Sequence, residues 1–275
     1  MTTDNNKERM ETIYQYLWSP RAAELLARLD HSLNPRSSEM LYAVARGLGI
    51  NRNYTALDAG SGLGIYSCGL ASKFGCHVVG VDLAENNLEL AHVRAREERV
   101  DKLVTFQQGN IQSLPFDDAT FDLVWCRDML VHVCDLHQAS SEFARVLKPD
   151  GTVLIHTTFA TNLMEPEEAT RLYEPLGIVP ANMCSAYFED AFNAASLQIR
   201  SSEPISSEWL EYFEEQQARS SKELLRVARM RRLKERLVAR FGQEAYDVIL
   251  AVSLWHIYLL LGKLSSTIYT LKKSA

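Results

Sequence analysis

Several features are scarce or missing in this 275-residue chain. Its five cysteines are odd in number, and no two are spaced as CxxC. That argues against a disulfide framework and against a structural zinc site, and free thiols suit a reducing cytoplasm. Positive charge is in deficit: 29 Lys and Arg against 35 Asp and Glu give a formal charge of −6 and a pI near 5.7. General nucleic-acid binding usually shows the opposite balance. No apolar run is long enough to span a bilayer; the most apolar segment, 248–261, is short and contains Ser253 and His256. The opening "MTTDNNKERM" is polar, without the apolar stretch of a secretory leader. Internal repeats and low-complexity linkers are absent. What is present is ordinary for a globular protein: 47% hydrophobic and 23% charged residues. The length allows one large domain, or one domain with a cap. The expectation is a cytoplasmic protein with no nucleic-acid partner and no transmembrane segment.

The first fifty residues read as helical. Ser19-Pro20 is a helix start, with serine as cap and proline in the first turn, followed by an apolar face at Leu25, Leu26 and Leu29. "SSEMLYAVARGLG" reads as a second helix stopped by glycine. From Tyr54 short apolar runs alternate with longer amphipathic ones. Strands are predicted at 55–59, 77–81, 104–108, 121–126 and 152–158, with helices at 65–73, 84–98 and 136–147 between them. That alternation means a parallel sheet covered on both faces. "KPDG" (148–151) reads as a turn into the fifth strand. Further on, 187–195 reads as a helix and 197–205 and 265–272 as two more strands. Between those two strands lies a long helical insertion.

The stretch "YTALDAGSGLGIYSCGLASKF" (54–74) places three glycines on alternate positions behind an acid. In a doubly wound sheet ligands sit beyond the carboxyl ends of the strands, so the turn after the first strand must come close to them. Gly60, Gly62 and Gly64 allow that approach, and the next helix offers free N–H groups. The spacing is GxGxG, with Ile65 where a dinucleotide fingerprint has its third glycine. Asp58, two residues before the first glycine, would repel a pyrophosphate but suits a positively charged ligand. Asp82 falls at the end of the second strand, eighteen residues after Gly64. Its carboxylate can accept bonds from the two ribose hydroxyls of an adenosine, cap the next helix, or do both. After the third strand, the Asn110 amide oxygen can meet an adenine amino group with Ile111 against the ring; the alternative is a simple turn after Gly109.

Five motifs in order, "LDAGSGLG", the Asp82 strand end, "GNIQSLPF", "FDLVWCRDMLVHVCD" and "EFARVLKPDGTVLI", resemble the class I S-adenosylmethionine-dependent methyltransferases. The resemblance covers about residues 50–160, and its nearest flavour is the small-molecule group of ubiquinone/menaquinone C-methyltransferases and natural-product methyltransferases. It implies a Rossmann-like, doubly wound α/β sheet of seven strands with the last antiparallel. It implies S-adenosylmethionine as cofactor and S-adenosylhomocysteine as product. Gly60, Ser61, Gly62 and Gly64 would hold the methionine part, Asp82 and Leu83 the ribose, and Asn110 and Ile111 the adenine. Asn110 departs from the family, which often has Asp there, and weaker adenine binding is expected. The implied domains are a helical cap (1–50), the cofactor-binding domain (51–206 plus 263–275) and a helical lid (207–262).

Methyl transfer from a sulfonium is an in-line displacement, so alignment matters most and is worth roughly 7–11 kcal/mol. A general base adds about 10²–10⁴-fold when the nucleophile carries a proton. Candidates follow the fourth strand in "RDMLVHV". His132 reads either as the base or as a histidine packed under the cofactor. Asp128 is the second candidate, as base or as orienter of a substrate amine. Arg127 reads as a contact to cofactor or anionic substrate, or as a surface ion pair. Tyr16 in "IYQYLWSP" is a candidate for the methionine carboxylate. The (N/D)PP(Y/F) motif of adenine and amide N-methylating relatives is absent. Strand five carries no acidic pair, so no metal is expected. The acceptor atom, O, N or C, is open. Two other classes share parts of the pattern: a cofactor-binding protein with a non-methylating role, such as a cyclase, and a nicotinamide-dependent oxidoreductase, which GxGxG disfavours.

Within the insertion, 219–240 holds nine basic residues against Glu223 and Glu235. Leu224, Val227, Met230, Leu233, Leu237 and Phe241 recur at helical spacing, and Ser220 with Glu223 reads as a capping box. Such a face is solvated, or meets an anionic substrate, an acyl carrier protein or a membrane surface. The insertion is apolar enough to pack on the sheet domain or to form a homodimer.

Overall fold

The structure, a computed structural model, describes residues 3–274. It divides into two compact units, one ending at Arg36 and one beginning at Ser37. The first holds α1 (Thr3–Leu17) and α2 (Pro20–Leu29). Ser19 caps α2 as its sequence requires, its hydroxyl accepting from the Ala22 N–H at 3.2 Å.

The second unit opens with α3 (Met40–Gly47). It continues β1 (Thr55–Ala59), α4 (Ile65–Phe74), β2 (His77–Asp82), α5 (Glu85–Glu97), β3 (Val104–Gln108), β4 (Phe121–Arg127), α6 (Leu136–Val146) and β5 (Leu147–Ala160). Then come α7 (Pro166–Leu176), α8 (Ser185–Ala194) and β6 (Leu197–Ser206). Four helices follow: α9 (Glu208–Gln217), α10 (Arg219–Arg232), α11 (Lys234–Phe241) and α12 (Gln243–Leu260). The chain closes with β7 (Leu264–Lys273). The strands form one sheet in the order β3-β2-β1-β4-β5-β7-β6. All pairings are parallel except those of β7, which runs antiparallel to both β5 and β6. The doubly wound α/β sheet of seven strands with a reversed last strand is therefore present.

Both faces of the sheet are covered, so the central strands are apolar on both sides. In β4, Leu123 and Trp125 enter one core while Val124 and Cys126 enter the other. Helix α3 joins the first of these through Met40, Leu41, Tyr42 and Ala45. Its Tyr42 needs Gly69 in α4, where a Cβ would lie 2.0 Å from the phenolic oxygen. A third core ties α7, α9, α10 and α12 together through Leu172, Leu210, Val227 and Leu254. It reaches the sheet domain at Val131 and Leu264, so the insertion is anchored as a packed layer.

Three local expectations are corrected. β5 begins at Leu147, and "KPDG" is a bulge inside it: Phe121 pairs with Leu147, then Leu123 with Thr152. The basic run is two helices, broken at Leu233 between α10 and α11. Val227 and Met230 are buried, but Leu224 and Phe241 are exposed. The Ser220–Glu223 capping box does not form either. Helix α10 already starts at Arg219, and Glu214 of the preceding helix accepts from the Ser220 and Ser221 N–H groups at 2.6 and 3.0 Å. Glu223 pairs instead with Arg226. Among the described residues, no helix is long and apolar enough to cross a membrane.

Candidate active site

Two adjoining features lie at the carboxyl ends of the strands. The first is the glycine turn after β1. A Cβ at Gly60 would meet Met129 at 2.5 Å, and one at Gly64 would meet Phe106 at 2.7 Å and Ala91 at 2.9 Å. Those two glycines let the turn close on its neighbours. Gly62 differs: its φ is +50°, and nothing lies within 4 Å of where its Cβ would be. Its backbone is bare toward open space, the arrangement a ligand needs for close approach. The Ser61 hydroxyl beside it is buried, with no hydrogen-bond partner among the described residues.

Carboxylates hold this turn from both sides. Asp82 accepts from the Gly62 N–H at 2.8 Å with one oxygen, and from the Ala84 N–H at 2.9 Å and the Asn87 amide at 3.2 Å with the other. It therefore ties the turn to the start of α5. The oxygen that accepts from Gly62 keeps a further lone pair for a ligand hydroxyl. Asp58 is 2% exposed and accepts from the Ser67 hydroxyl at 2.5 Å. Burial pushes its carboxyl up to about 6, against the pull of the Ser67 hydrogen bonds. Leu83 is exposed beside Asp82. Asn110 is also exposed, with its side-chain oxygen accepting from the Gln112 N–H at 2.9 Å. Ile111 is 3% exposed and sits in the core with Leu57 and Val81.

The second feature is a cavity of about 420 Å³ between the ends of β4 and β5 and the helices of the insertion. Ile65 and Tyr66, which follow the glycine turn directly, line it, as do Arg127, Asp128 and His156. Trp209, Phe213, Arg219, Trp255 and His256 line it from α9, α10 and α12. Arg127 is sandwiched, its guanidinium 4.5 Å from the Tyr66 ring centre and 4.3 Å from that of Trp209. It also pairs with Asp128 at 3.1 Å.

Asp128 has φ +52°, an uncommon conformation for a residue with a side chain. The backbone is held there by its N–H bond to the His156 carbonyl at 2.9 Å. Its carboxylate lies 2.9 Å from the His156 Nδ1. Burial pushes the Asp128 carboxyl up, but His156 and Arg127 outweigh it and hold it well below the usual carboxylate range. A carboxylate that close to Nδ1 favours the tautomer with the proton there, which leaves Nε2 as the acceptor. His156 is 4% exposed, and neither ring nitrogen makes a well-aligned hydrogen bond among the described residues; Nδ1 has only the close approach of the Asp128 carboxylate.

Residues 57–155 match the family described as methyltransferase domain. That stretch runs from β1 into β5 and is similar to a methyltransferase domain. The chain is 33% identical over 142 residues to Methyltransferase GfsG of Streptomyces halstedii, a stretch covering 52% of this chain and 49% of that one. It spans about half or less of the length of the curated relatives it matches. Among solved structures it resembles a putative sarcosine dimethylglycine methyltransferase from Galdieria sulphuraria, with TM-score 0.67, 18% identity, and 86% and 84% of the two chains covered. The [4+2]-cyclase SpnF has the same TM-score of 0.67 at 21% identity, covering 86% and 81%. At such identities these two likenesses establish the fold.

The fold does not bring all the sequence candidates together. Arg127 and Asp128 line the cavity. His132 is exposed on a short turn of 3₁₀ helix, with Nδ1 3.3 Å from the Gly177 carbonyl oxygen, and is not among the lining residues. Tyr16 lies on α1, within the unit that ends at Arg36. His156 was missed as a candidate because a lone histidine in an apolar strand reads as core. Trp209 and His256 were missed because they belong to an insertion outside the matched stretch, whereas Arg219 is the first residue of the basic run that the sequence left open to an anionic substrate. A run with aromatics and a cation at helical spacing, "WLEYFEEQQAR", was the available signal.

Proposed function

We propose that this protein is an S-adenosylmethionine-dependent methyltransferase whose acceptor, a small molecule, occupies the cavity beneath the insertion. One observation carries the reading: the residues next to the glycine turn, Ile65 and Tyr66, are themselves walls of the cavity. The cofactor and acceptor sites therefore adjoin. The turn fits the cofactor, since Gly62 is bare and the buried Ser61 hydroxyl lacks a partner among the described residues. Gly60 to Gly64 would hold its methionine part, Asp82 and Leu83 its ribose, and Asn110 its adenine. When bound, the cofactor supplies a sulfonium methyl as electrophile.

The chain's own residues then do three things. The aromatic walls exclude water from the cavity. His156 Nε2 accepts the acceptor's proton, while Asp128 fixes the ring and offsets the charge that forms. Arg127, clamped between Tyr66 and Trp209, holds Asp128 in place. Two arginines among the walls suit an acceptor with negative charge. The five unpaired cysteines suit a reducing compartment.

Calorimetric titration with S-adenosylmethionine, S-adenosylhomocysteine and NAD tests the cofactor, followed by acceptor screening for a gain of one methyl by mass spectrometry. Micromolar binding of the first two and none of NAD is expected. Cofactor binding with no acceptor methylated in the screen would favour the cyclase type of role. With an acceptor found, His156→Gln should lower turnover about 10²–10⁴-fold and leave cofactor affinity unchanged. Unchanged turnover would remove His156 as the base.

A further inference from the structure

The lid end of the cavity holds a cation with no carboxylate oxygen within 4.0 Å among the described residues. Arg219 opens α10, and its guanidinium lies 5.3 Å from the ring centre of Phe213. Its Nη2 is 3.2 Å from Nε2 of His256. The other nitrogen of that ring, Nδ1, lies 2.9 Å from the Val252 carbonyl oxygen one turn back in α12, so Nδ1 carries the proton and donates it. Nε2 is then a lone pair facing the arginine, and the contact is a hydrogen bond from a cation to a neutral ring. Burial, followed by the nearby Arg219, keeps His256 below its usual titration range. No ion pair to Arg219 is present among the described residues. An arginine is thus fixed in direction by a neutral histidine and a phenyl face, while the carboxylate one turn along, Glu223, pairs with Arg226 instead.

This arrangement joins an aromatic strip. Trp209 and Phe213 stand one turn apart on α9, with ring centres 6.2 Å apart. At one end Trp209 lies 5.3 Å from the His156 ring. At the other, Phe213 lies under Arg219. A planar ligand stacked along the strip would meet a proton acceptor at one end and a fixed cation at the other.

We propose that Arg219, positioned by His256, is an anion-binding subsite, and that the acceptor is a planar aromatic molecule bearing a carboxylate or phosphate. The proposal rests on the methyltransferase reading above, and its test separates the two. The protein is first saturated with S-adenosylhomocysteine; failure at that step overturns the methyltransferase reading itself. The saturated protein is then titrated calorimetrically with 4-hydroxycinnamate, with its uncharged methyl ester and with phenyl phosphate. The expected result is binding of at least one anion at least tenfold tighter than the ester, the better anion deciding between carboxylate and phosphate. Arg219→Gln should weaken that anion by about 10- to 150-fold, the loss of a charge-assisted contact. Ester binding should be unchanged, as should the melting temperature. His256→Phe, which keeps the arginine but releases its direction, should weaken the anion by a smaller factor. Equal binding of anion and ester, no binding of either anion, or an anion preference that survives Arg219→Gln would each overturn the proposal.

Discussion

Single residues around the glycine turn separate binding from stability. Gly62 and Gly64 both have positive φ, +50° and +73°. Alanine at Gly62 meets open space, so its cost is backbone strain of about 1–2 kcal/mol. Its methyl would nevertheless stand where a ligand must come. Gly62→Ala should fold, with a modest loss in melting temperature, and bind S-adenosylhomocysteine at least tenfold more weakly by calorimetry. Alanine at Gly64 meets Phe106 and Ala91 below 3.0 Å as well. Gly64→Ala should lose a further 1–3 kcal/mol to overpacking in denaturant titration. Asp58 has a different signature. Its folded pKa, about 6, lies above the ordinary value of 3.8. The folded state therefore binds its proton more tightly, and Asp58 lowers stability as pH rises from about 4 to about 6. Asp128 and Glu142, held low, act in the opposite direction, their support being lost as the solution is acidified. The difference in stability between wild type and Asp58→Asn isolates Asp58. The variant should gain on the wild type across that window and hold a constant advantage above it. The glycine turn and its tie to Asp82 were legible because backbone constraint leaves a mark at fixed spacing. His156 was not, because its role comes from Asp128, twenty-eight positions earlier in the chain and beside it only through the β4–β5 pairing.

At the scale of elements, the strands were legible and the insertion was not. β1 and β3 fall on the residues their apolar runs mark, because both ends of each run are punctuated by polar or turn residues. β5 extends further back than its sequence suggests, since a bulge can absorb "KPDG" without ending the ladder. The insertion read as helical throughout, but its breaks at Ala218, Leu233 and Gly242 follow from packing of α10 and α11 on α12. Its stability rests on the third core. Leu254 on α12 is 7% exposed there. Leu254→Ala should cost about 2–5 kcal/mol in denaturant titration. A separate low-denaturant transition for the variant would mean that the insertion unfolds apart from the sheet; a single shifted transition would mean that it does not.

On the scale of the whole molecule, cofactor binding and folding are linked. A ligand that binds only the folded state at a hundred times its Kd stabilises by about 2.7 kcal/mol. For a chain of this size each kcal/mol is worth roughly 2–4 °C. S-adenosylhomocysteine at that excess should raise the melting temperature by roughly 5–10 °C, and NAD should leave it unchanged. A shift with NAD alone would overturn the reading of the glycine turn. The reversed strand has a further consequence. β6 ends at Ser206 and β7 begins at Leu264, and the two pair antiparallel, with Ser206 opposite Ser266. The four-helix excursion therefore leaves and re-enters the sheet at neighbouring points, like an enlarged hairpin tip. Its sequence and length can change while the strand order stays as it is. The cavity wall that the insertion supplies is in effect an exchangeable cassette, and chimaeras joined at those two strand ends would change that wall on an unaltered sheet.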